Sequence, residues 1–227
     1  MFDTAGVQTV SGPRSHPPFA RKRASVLDFD AYLDRLASSD PTPGGGSAAA
    51  LTGAMAAALL AMVARITLGS PKHSSVHALA QRIIQEADVL RSDFVAARPI
   101  DEAAYGAVIA VQALPRTTEA EKRVRMERMQ AALEGAAEAP LGVAGLASAT
   151  IRLAELAAAL GNDHLMSDVE CALRLARAAL DASAANVKVN HRFLKNAEVI
   201  TAQASRLAAF LDTATAAERR TLRRITA

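Results

Sequence analysis

The sequence contains one cysteine, no tryptophan, few other aromatic residues and only a small excess of positive charge. Aromatic residues make up 4% of the 227 residues, and the formal net charge is +3 at pH 7. The lone cysteine, Cys171, excludes an intrachain disulfide framework and fits a reducing, cytoplasmic setting. A nucleic-acid-binding domain would need a larger basic excess. We therefore expect a cytoplasmic protein with no nucleic-acid partner.

Motifs for metal, nucleotide or serine-nucleophile chemistry are also missing. His73 and His77 lie four residues apart without a third ligand nearby, and no HExxH or CxxC motif occurs. No Gly-Lys-Ser/Thr follows the glycine-rich run, and no serine has a Gly-x-Ser-x-Gly context. These absences predict a protein with no bound metal and no nucleotide cofactor.

Hydrophobic runs long enough to cross a membrane are not predicted. The longest uncharged apolar stretch, Ala48 to Ala64, is slightly short for a span and consists mainly of alanine. Such a stretch is typical of the central helix of a bundle. Residues 1–24 lack the continuous apolar core of a secretory signal, and we predict a disordered N-terminal extension there. We expect no membrane partner.

The residues that are abundant, alanine and leucine at helical spacing, predict an all-α protein. We expect a single-domain helical bundle over residues 25–215, followed by a polar C-terminal tail over residues 216–227. Several of the predicted helices are apolar on more than one face, which a monomer of this size would struggle to bury. Because closed two-fold dimers are the commonest soluble assemblies, this pattern indicates a homodimer.

Prolines and capping motifs predict where the helices begin and end. Pro99 should interrupt one helix, and Pro140 should kink or break another. Two capping boxes predict helix starts, one at Thr118 with Glu121 and the other at Ser167 with Glu170.

The glycine-rich run Asp40-Pro41-Thr42-Pro43-Gly44-Gly45-Gly46-Ser47 leads directly into the alanine-rich stretch. Two prolines prevent helix before the glycines, and alanines favour helix after them. Bare backbone N–H groups are therefore expected at a helix start, where unpaired donors and the helix dipole can receive an anionic or carbonyl-bearing ligand. The alternative is that the three glycines merely allow two helices to pack closely.

Polar side chains that could carry chemistry stand in otherwise apolar segments. Asp101 has Tyr105 one turn later, Asp168 lies in the first turn of a predicted helix, and Asn186 and Asn190 share a helix face. Each has a structural alternative: both aspartates could be ordinary first-turn acids, and the asparagines could form a polar contact between helices.

Short motifs recur in a fixed order through most of the chain, from about Asp28 to Phe210. The glycine-rich run is followed by Asp101-Glu102-Ala103-Ala104-Tyr105, Leu114-Pro115-Arg116-Thr117-Thr118, Ala139-Pro140-Leu141, Gly161-Asn162 with Ser167-Asp168, and Asn186-Val187-x-x-Asn190. Together these motifs resemble the cyclodeaminase/cyclohydrolase family. That family includes the C-terminal domain of formiminotransferase-cyclodeaminase and stand-alone bacterial methenyltetrahydrofolate cyclohydrolases.

The resemblance implies an all-α homodimer that handles one-carbon units on tetrahydrofolate. Such an enzyme either hydrolyses the 5,10-methenyl form to the 10-formyl form, or cyclises the 5-formimino form with loss of ammonia. A tetrahydrofolate derivative is then the substrate, and no bound cofactor is expected. We expect the cyclohydrolase, because no formiminotransferase domain precedes this one. The alternatives are the cyclodeaminase, and a repurposed non-folate or non-catalytic helical dimer of the same family.

Site roles follow from the same resemblance. Asp101 and Asp168 would transfer protons or stabilise a cation. The residues that would bind the substrate are Gly44, Gly45, Gly46, Ser47, Tyr105, Asn186, Asn190 and Lys72. Lys72 would meet the glutamate tail of folate, its alternative being an ordinary solvated lysine. A pocket of several hundred Å³ that joins the two aspartates would favour an enzyme, whereas their separation would favour the repurposed dimer.

The chain departs from the family pattern in three places. Pro99 and Ile100 stand where family members often carry another acid, and Tyr105 replaces a phenylalanine. The basic-aromatic cluster expected after Gly69 is thinned to Pro71-Lys72-His73. A two-carboxylate mechanism that needs the missing acid is therefore in doubt.

Overall fold

A computed structural model describes residues 29–226, and within them six α-helices form one bundle. The predicted N-terminal extension over residues 1–24 lies outside the described residues. The helices, in chain order, are α1 (Phe29–Leu36), α2 (Gly45–Leu68), α3 (His77–Gln112), α4 (Glu119–Ala158), α5 (Met166–His191) and α6 (Ala197–Ile225). Short 3₁₀ turns precede α3 and α5. The all-α prediction is confirmed.

Helix α2 forms the centre of the bundle, as its composition predicts. It packs against α3, α4 and α5, while α6 covers the outer side of α4 and α5. Small side chains let these helices approach closely, and at Gly53 the ring of Phe94 fills the place that a Cβ atom would occupy. The buried core is accordingly built from many alanines together with residues such as Leu60, Ile83 and Leu173.

Among the helices of residues 29–226, two satisfy the length and hydropathy of a membrane span. They are α2 and α4, although 61% of each apolar window is buried inside the bundle. Burial in the bundle accounts for their apolar composition, because a core helix is hydrophobic on all sides. The alanine-rich stretch that looked slightly short for a span is thus part of a helix of 24 residues.

Neither proline breaks its helix: the interruption predicted at Pro99 is wrong, and α4 is not broken at Pro140. Helix α3 runs through Pro99 without a break, and α4 runs through Pro140. Pro99 is exposed, so water can pair with the carbonyl that loses its helical donor. Pro140 is buried, and α4 packs against α3, α5 and α6 on either side of it. Tertiary packing therefore outweighs the local cost of each proline.

One of the two predicted capping boxes is present and the other is not. Thr118 and Glu121 form the predicted capping box, with the Thr118 Oγ1 atom 3.2 Å from the Glu121 N–H. The second prediction is wrong: α5 begins at Met166, and no side chain caps it, because Ser167 already lies inside the first turn. Gly161 has the left-handed backbone predicted for a helix end, with φ of 63°.

The polar tail predicted over residues 216–227 is also helical up to Ile225. Ala217 and Thr221 are fully buried there, and Arg220 pairs with Glu155 of α4. Polar residues on the outer face of an amphipathic helix are what made this segment resemble a tail.

Candidate active site

The glycine-rich run forms the wall of a cleft at the N-terminal end of α2. Gly44 is the N-cap residue, and the first helical hydrogen bond runs from the Ala48 N–H to the Gly44 carbonyl at 3.0 Å. The N–H groups of Gly45 and Gly46 therefore have no carbonyl within the helix to bind. The cleft encloses about 260 Å³ and receives side chains from α3 and α5.

Asp101 of α3 packs directly on the backbone of this helix start. A Cβ atom at Gly46 would overlap the Asp101 carboxyl group, so glycine is the one residue that fits there. The carboxylate accepts a hydrogen bond from the Ser47 N–H. Burial raises the pKa of Asp101 above its usual value, the Ser47 N–H opposes that shift, and the neighbouring charge of Glu102 adds to it. A carboxylate with a raised pKa is a better base near neutral pH.

Helix α5 supplies the two asparagines that the sequence placed on one face. The Asn190 amide donates to the carbonyls of Ala136 and Asn186, both at 2.9 Å, and the Asn186 amide donates to the Ala182 carbonyl at 2.9 Å. Both N–H donors of Asn190 are thus engaged, which leaves its amide oxygen as an acceptor in the cleft. Asn186 lies against Gly45.

Tyr105 lies one helical turn beyond Asp101 and completes the cleft lining. The structure therefore gathers seven of the predicted residues around one cleft: Gly44, Gly45, Gly46, Asp101, Tyr105, Asn186 and Asn190. Ser47 stands immediately behind them and is fully buried. Their roles toward a ligand stay predictions.

A polar network behind the cleft was not predicted from the sequence. The Ser47 Oγ donates to Glu102 Oε1 at 2.8 Å and lies 3.2 Å from the Tyr32 hydroxyl. Arg98 pairs with Glu102 at 3.0 Å and lies 5.8 Å from the Tyr32 ring centroid. The spacing of Arg98 and Glu102 at i and i+4 was the available signal, although surface ion pairs have the same spacing.

Two predicted residues lie at the other end of the bundle. Lys72 follows the C-terminal end of α2 and lines a separate cleft of about 340 Å³ with His73, Asn162 and His164. Asp168 lies in the first turn of α5, 18 residues before Asn186, which is about 27 Å along the helix. Within one chain, the lengths of α2 and α5 separate Asp168 and Lys72 from the cleft of Asp101, and their roles toward a substrate stay predictions.

Metal-ligating side chains do not cluster in the described part of the chain. Within residues 29–226, no group of three His, Cys, Asp or Glu residues could hold a metal ion. The polar groups that line the cleft are one carboxylate, two side-chain amides, a phenol, the hydroxyl of Thr42 and the bare start of a helix.

Comparison with protein families gives one match that covers most of the chain. The family model described as formiminotransferase-cyclodeaminase matches residues 28–209. This range includes every residue that lines the cleft at the start of α2.

The names of similar proteins refer to enzymes that act on one-carbon units of folate. The chain is 39% identical over 166 residues to a methenyltetrahydrofolate cyclohydrolase from Methylorubrum extorquens, a match that covers 73% of this chain and 80% of that protein. It is 26% identical to the formimidoyltransferase-cyclodeaminase of Rattus norvegicus, over 76% of this chain and 32% of the rat protein.

A solved structure has the same fold. It is the crystal structure of formiminotetrahydrofolate cyclodeaminase from Thermotoga maritima, which superposes with a TM-score of 0.79 at 25% sequence identity. The superposition covers 88% of this chain and 96% of that one.

Proposed function

Because the chain belongs to the formiminotransferase-cyclodeaminase family, we propose that it is a folate one-carbon enzyme, a methenyltetrahydrofolate cyclohydrolase. Its reaction would hydrolyse 5,10-methenyltetrahydrofolate to 10-formyltetrahydrofolate. The observation that carries this proposal is a partly buried carboxylate, Asp101, held against the unpaired N–H groups at the start of α2. The 39% identity to a cyclohydrolase supports the choice of reaction.

The substrate is already an electrophile, which explains why so few groups suffice. The methenyl bridge is a cationic amidinium, so water can add to its carbon once a base accepts a proton. Asp101 would accept that proton, and its charge would stabilise the bound cation. The same proton can then pass to N5 as the bond between N5 and the bridge carbon breaks, while the hydroxyl proton of the adduct leaves to water and the formyl carbonyl forms, so that one proton is released overall. No cofactor takes part in these steps.

The other cleft groups would bind and orient the reactants. The Gly45 and Gly46 N–H groups would donate to the hydroxyl oxygen of the water adduct as that oxygen loses its proton and becomes the formyl carbonyl. The amide oxygens of Asn186 and Asn190 would accept from N–H donors of the pterin ring. A volume of about 260 Å³ is below the usual range for ligand pockets of about 300–1,000 Å³, so the cleft would hold only the reacting part of a folate.

The cyclodeaminase reaction is a second candidate, favoured by the fold shared with the Thermotoga maritima enzyme. In that reaction a base removes the N10 proton as N10 attacks the formimino carbon, and an acid protonates the departing ammonia. One carboxylate with a raised pKa could serve both stages. The two reactions share a substrate framework, so the same cleft would serve either one.

A homodimer fits an exposed apolar stripe along α2. The stripe consists of Met55, Leu59, Met62 and Ile66, of which Met55, Met62 and Ile66 are 42%, 37% and 49% exposed. These residues recur at helical spacing on the face of α2 that α3, α4 and α5 leave uncovered. Met62→Lys should therefore give a monomer by sedimentation, whereas Met126→Lys, a control on an exposed methionine of α4, should not.

A cytoplasmic location completes the proposal, since Cys171 is the one cysteine in the sequence.

The experiment that tests the proposed function follows two substrates in parallel. Purified protein is mixed with 5,10-methenyltetrahydrofolate. The rate at which the absorbance of this substrate falls is compared with the rate without protein. Ammonia release from 5-formiminotetrahydrofolate is measured beside it. Acceleration of the first reaction alone supports the cyclohydrolase, and ammonia release supports the cyclodeaminase. A folded protein that accelerates neither would refute both and favour the repurposed dimer, with which the separation of Asp101 from Asp168 agrees.

A further inference from the structure

Ser47 connects two carboxylates that face opposite ways. Its backbone N–H donates to Asp101, which lines the cleft. Its hydroxyl donates to Glu102 at 2.8 Å, and Glu102 stands behind the cleft rather than in it. Because α3 carries both acids and α2 carries Ser47, these two bonds tie the helices together at the catalytic cleft.

Glu102 is held in place by charge as well as by hydrogen bonds. Its side chain is only 17% exposed, and Arg98 pairs with it at 3.0 Å. Arg35 of α1 approaches its other oxygen at 3.9 Å. The Glu102 carboxylate is therefore fixed in position by Ser47, Arg98 and Arg35, next to Asp101 in the chain.

We infer that Glu102 is a positioning residue for Asp101: through Ser47 it fixes the carboxylate against the start of α2, and it holds a negative charge beside that carboxylate. The position of Glu102 corresponds to a variable residue of the Asp-x-x-Ala-Phe motif, so the motif did not single it out. It supplies a second acid beside Asp101, at the next position of α3. The inference rests on the proposed function only for its kinetic test.

Within the described residues, Glu102 is the charged neighbour that acts on Asp101, which makes its effect measurable. Arg98 of α3 and Arg35 of α1 pair with Glu102, and Tyr105 of α3 lines the cleft with Asp101. The residues that α2, α4 and α5 contribute to the cleft are glycine, alanine and asparagine, which do not titrate in this range.

The first test measures the pKa of Asp101 directly, by NMR titration of ¹³C-labelled carboxyl groups in the whole chain without substrate. Glu102→Gln keeps the oxygen that accepts from Ser47 and removes the charge, so the Asp101 pKa should fall. Glu86→Gln is the matched control, because Glu86 pairs with Arg82 on the same helix, remote from the cleft. The Asp101 pKa should not change in that control. An unchanged Asp101 pKa in Glu102→Gln would overturn the charge role.

The second test measures positioning. Glu102→Ala removes the acceptor of the Ser47 hydroxyl, so hydrogen-exchange protection of the Ser47 N–H should fall, and kcat should fall by about tenfold or more. Glu102→Gln should keep both kcat and Ser47 protection within about twofold, and its pH profile should move with the Asp101 pKa. Equal protection of Ser47 in Glu102→Ala and the native protein would overturn the positioning role.

These readouts separate the inference from the proposed function. A native protein without turnover would refute the proposed function, while the NMR titration and the exchange measurement would still decide the role of Glu102. Glu102→Ala leaves Arg98 without its partner, which could unfold the protein. In that case the double variant Arg98→Met/Glu102→Ala removes the unpaired charge, and protection of the Ser47 N–H is measured in the double variant.

Discussion

Replacement of Gly46 by alanine is the sharpest single test of the cleft. A Cβ atom at this position would lie 2.5 Å from Oδ2 of Asp101 and closer still to two other atoms of that carboxyl group, whereas contacts become ordinary at 3.4 Å. The carboxylate must therefore move by about 1 Å, and it must give up its alignment with the Ser47 N–H. A misplacement of about 1 Å in a reacting group can cost about a hundredfold in rate.

We expect Gly46→Ala to lower kcat/KM about a hundredfold, which corresponds to about 2.7 kcal/mol of transition-state stabilisation. Stability should stay within about 1 kcal/mol of the native protein, because alanine favours helix and the displaced side chain is partly exposed. The assay is loss of 5,10-methenyltetrahydrofolate absorbance, with thermal unfolding measured on the same samples.

The control for this prediction is Gly142→Ala on α4, where an added Cβ atom meets nothing within 4 Å. Its kcat/KM should match that of the native protein. If Gly46→Ala were folded and kept more than half of the native kcat/KM, the contact between Asp101 and the start of α2 would not matter for catalysis, and the proposed geometry would be refuted.

Three further substitutions test the reasoning. Asp101→Asn should abolish turnover and raise Tm at pH 7, because burial disfavours the charged carboxylate. The gain in Tm should shrink as the pH falls through the raised pKa of Asp101 and vanish below the ordinary pKa of 3.8, where the native carboxyl is protonated in both the folded and unfolded states. An equal gain in Tm at pH 7 and pH 3 would contradict this sign. Asp168→Asn should fold and keep turnover, since Asp168 complements the α5 dipole far from the cleft. Loss of turnover in a folded Asp168→Asn protein would instead place Asp168 in the site of a second copy of the chain. Gly53→Ala should destabilise the protein by about 1–3 kcal/mol, since the new Cβ atom overlaps the Phe94 ring in the core, yet leave turnover per folded molecule unchanged.

Local signals in the sequence predicted local structure well where no packing opposed them. The capping box at Thr118 is formed as expected, and Gly161 adopts the left-handed backbone of a helix end. The predictions failed where tertiary contacts compete with local preference. Pro99 and Pro140 remain inside helices, because the packed bundle stabilises both helices by more than one lost hydrogen bond costs.

The sequence also predicted most of the cleft, through the motif order that resembles a known family. The glycines, Asp101, Tyr105 and both asparagines came from that resemblance together with helical spacing. Glu102 and Arg98 were missed, because a charged pair at i and i+4 has the same pattern whether it is exposed or buried. Burial is what distinguishes this pair, and burial depends on the neighbouring helices.

Composition, periodicity and motif order alone determined an all-α bundle with a bare helix start at Gly44 to Ser47 and a set of candidate residues. Helical spacing carries this information, because it depends on residues within one or two turns. Only the tertiary structure decided which candidates meet: it placed Asp101 on Gly46 and left Asp168 and Lys72 at the far end. The physical reason is that helices of 24 to 40 residues span the whole bundle. Two residues on the same helix therefore reach different clefts when they lie at opposite ends of it.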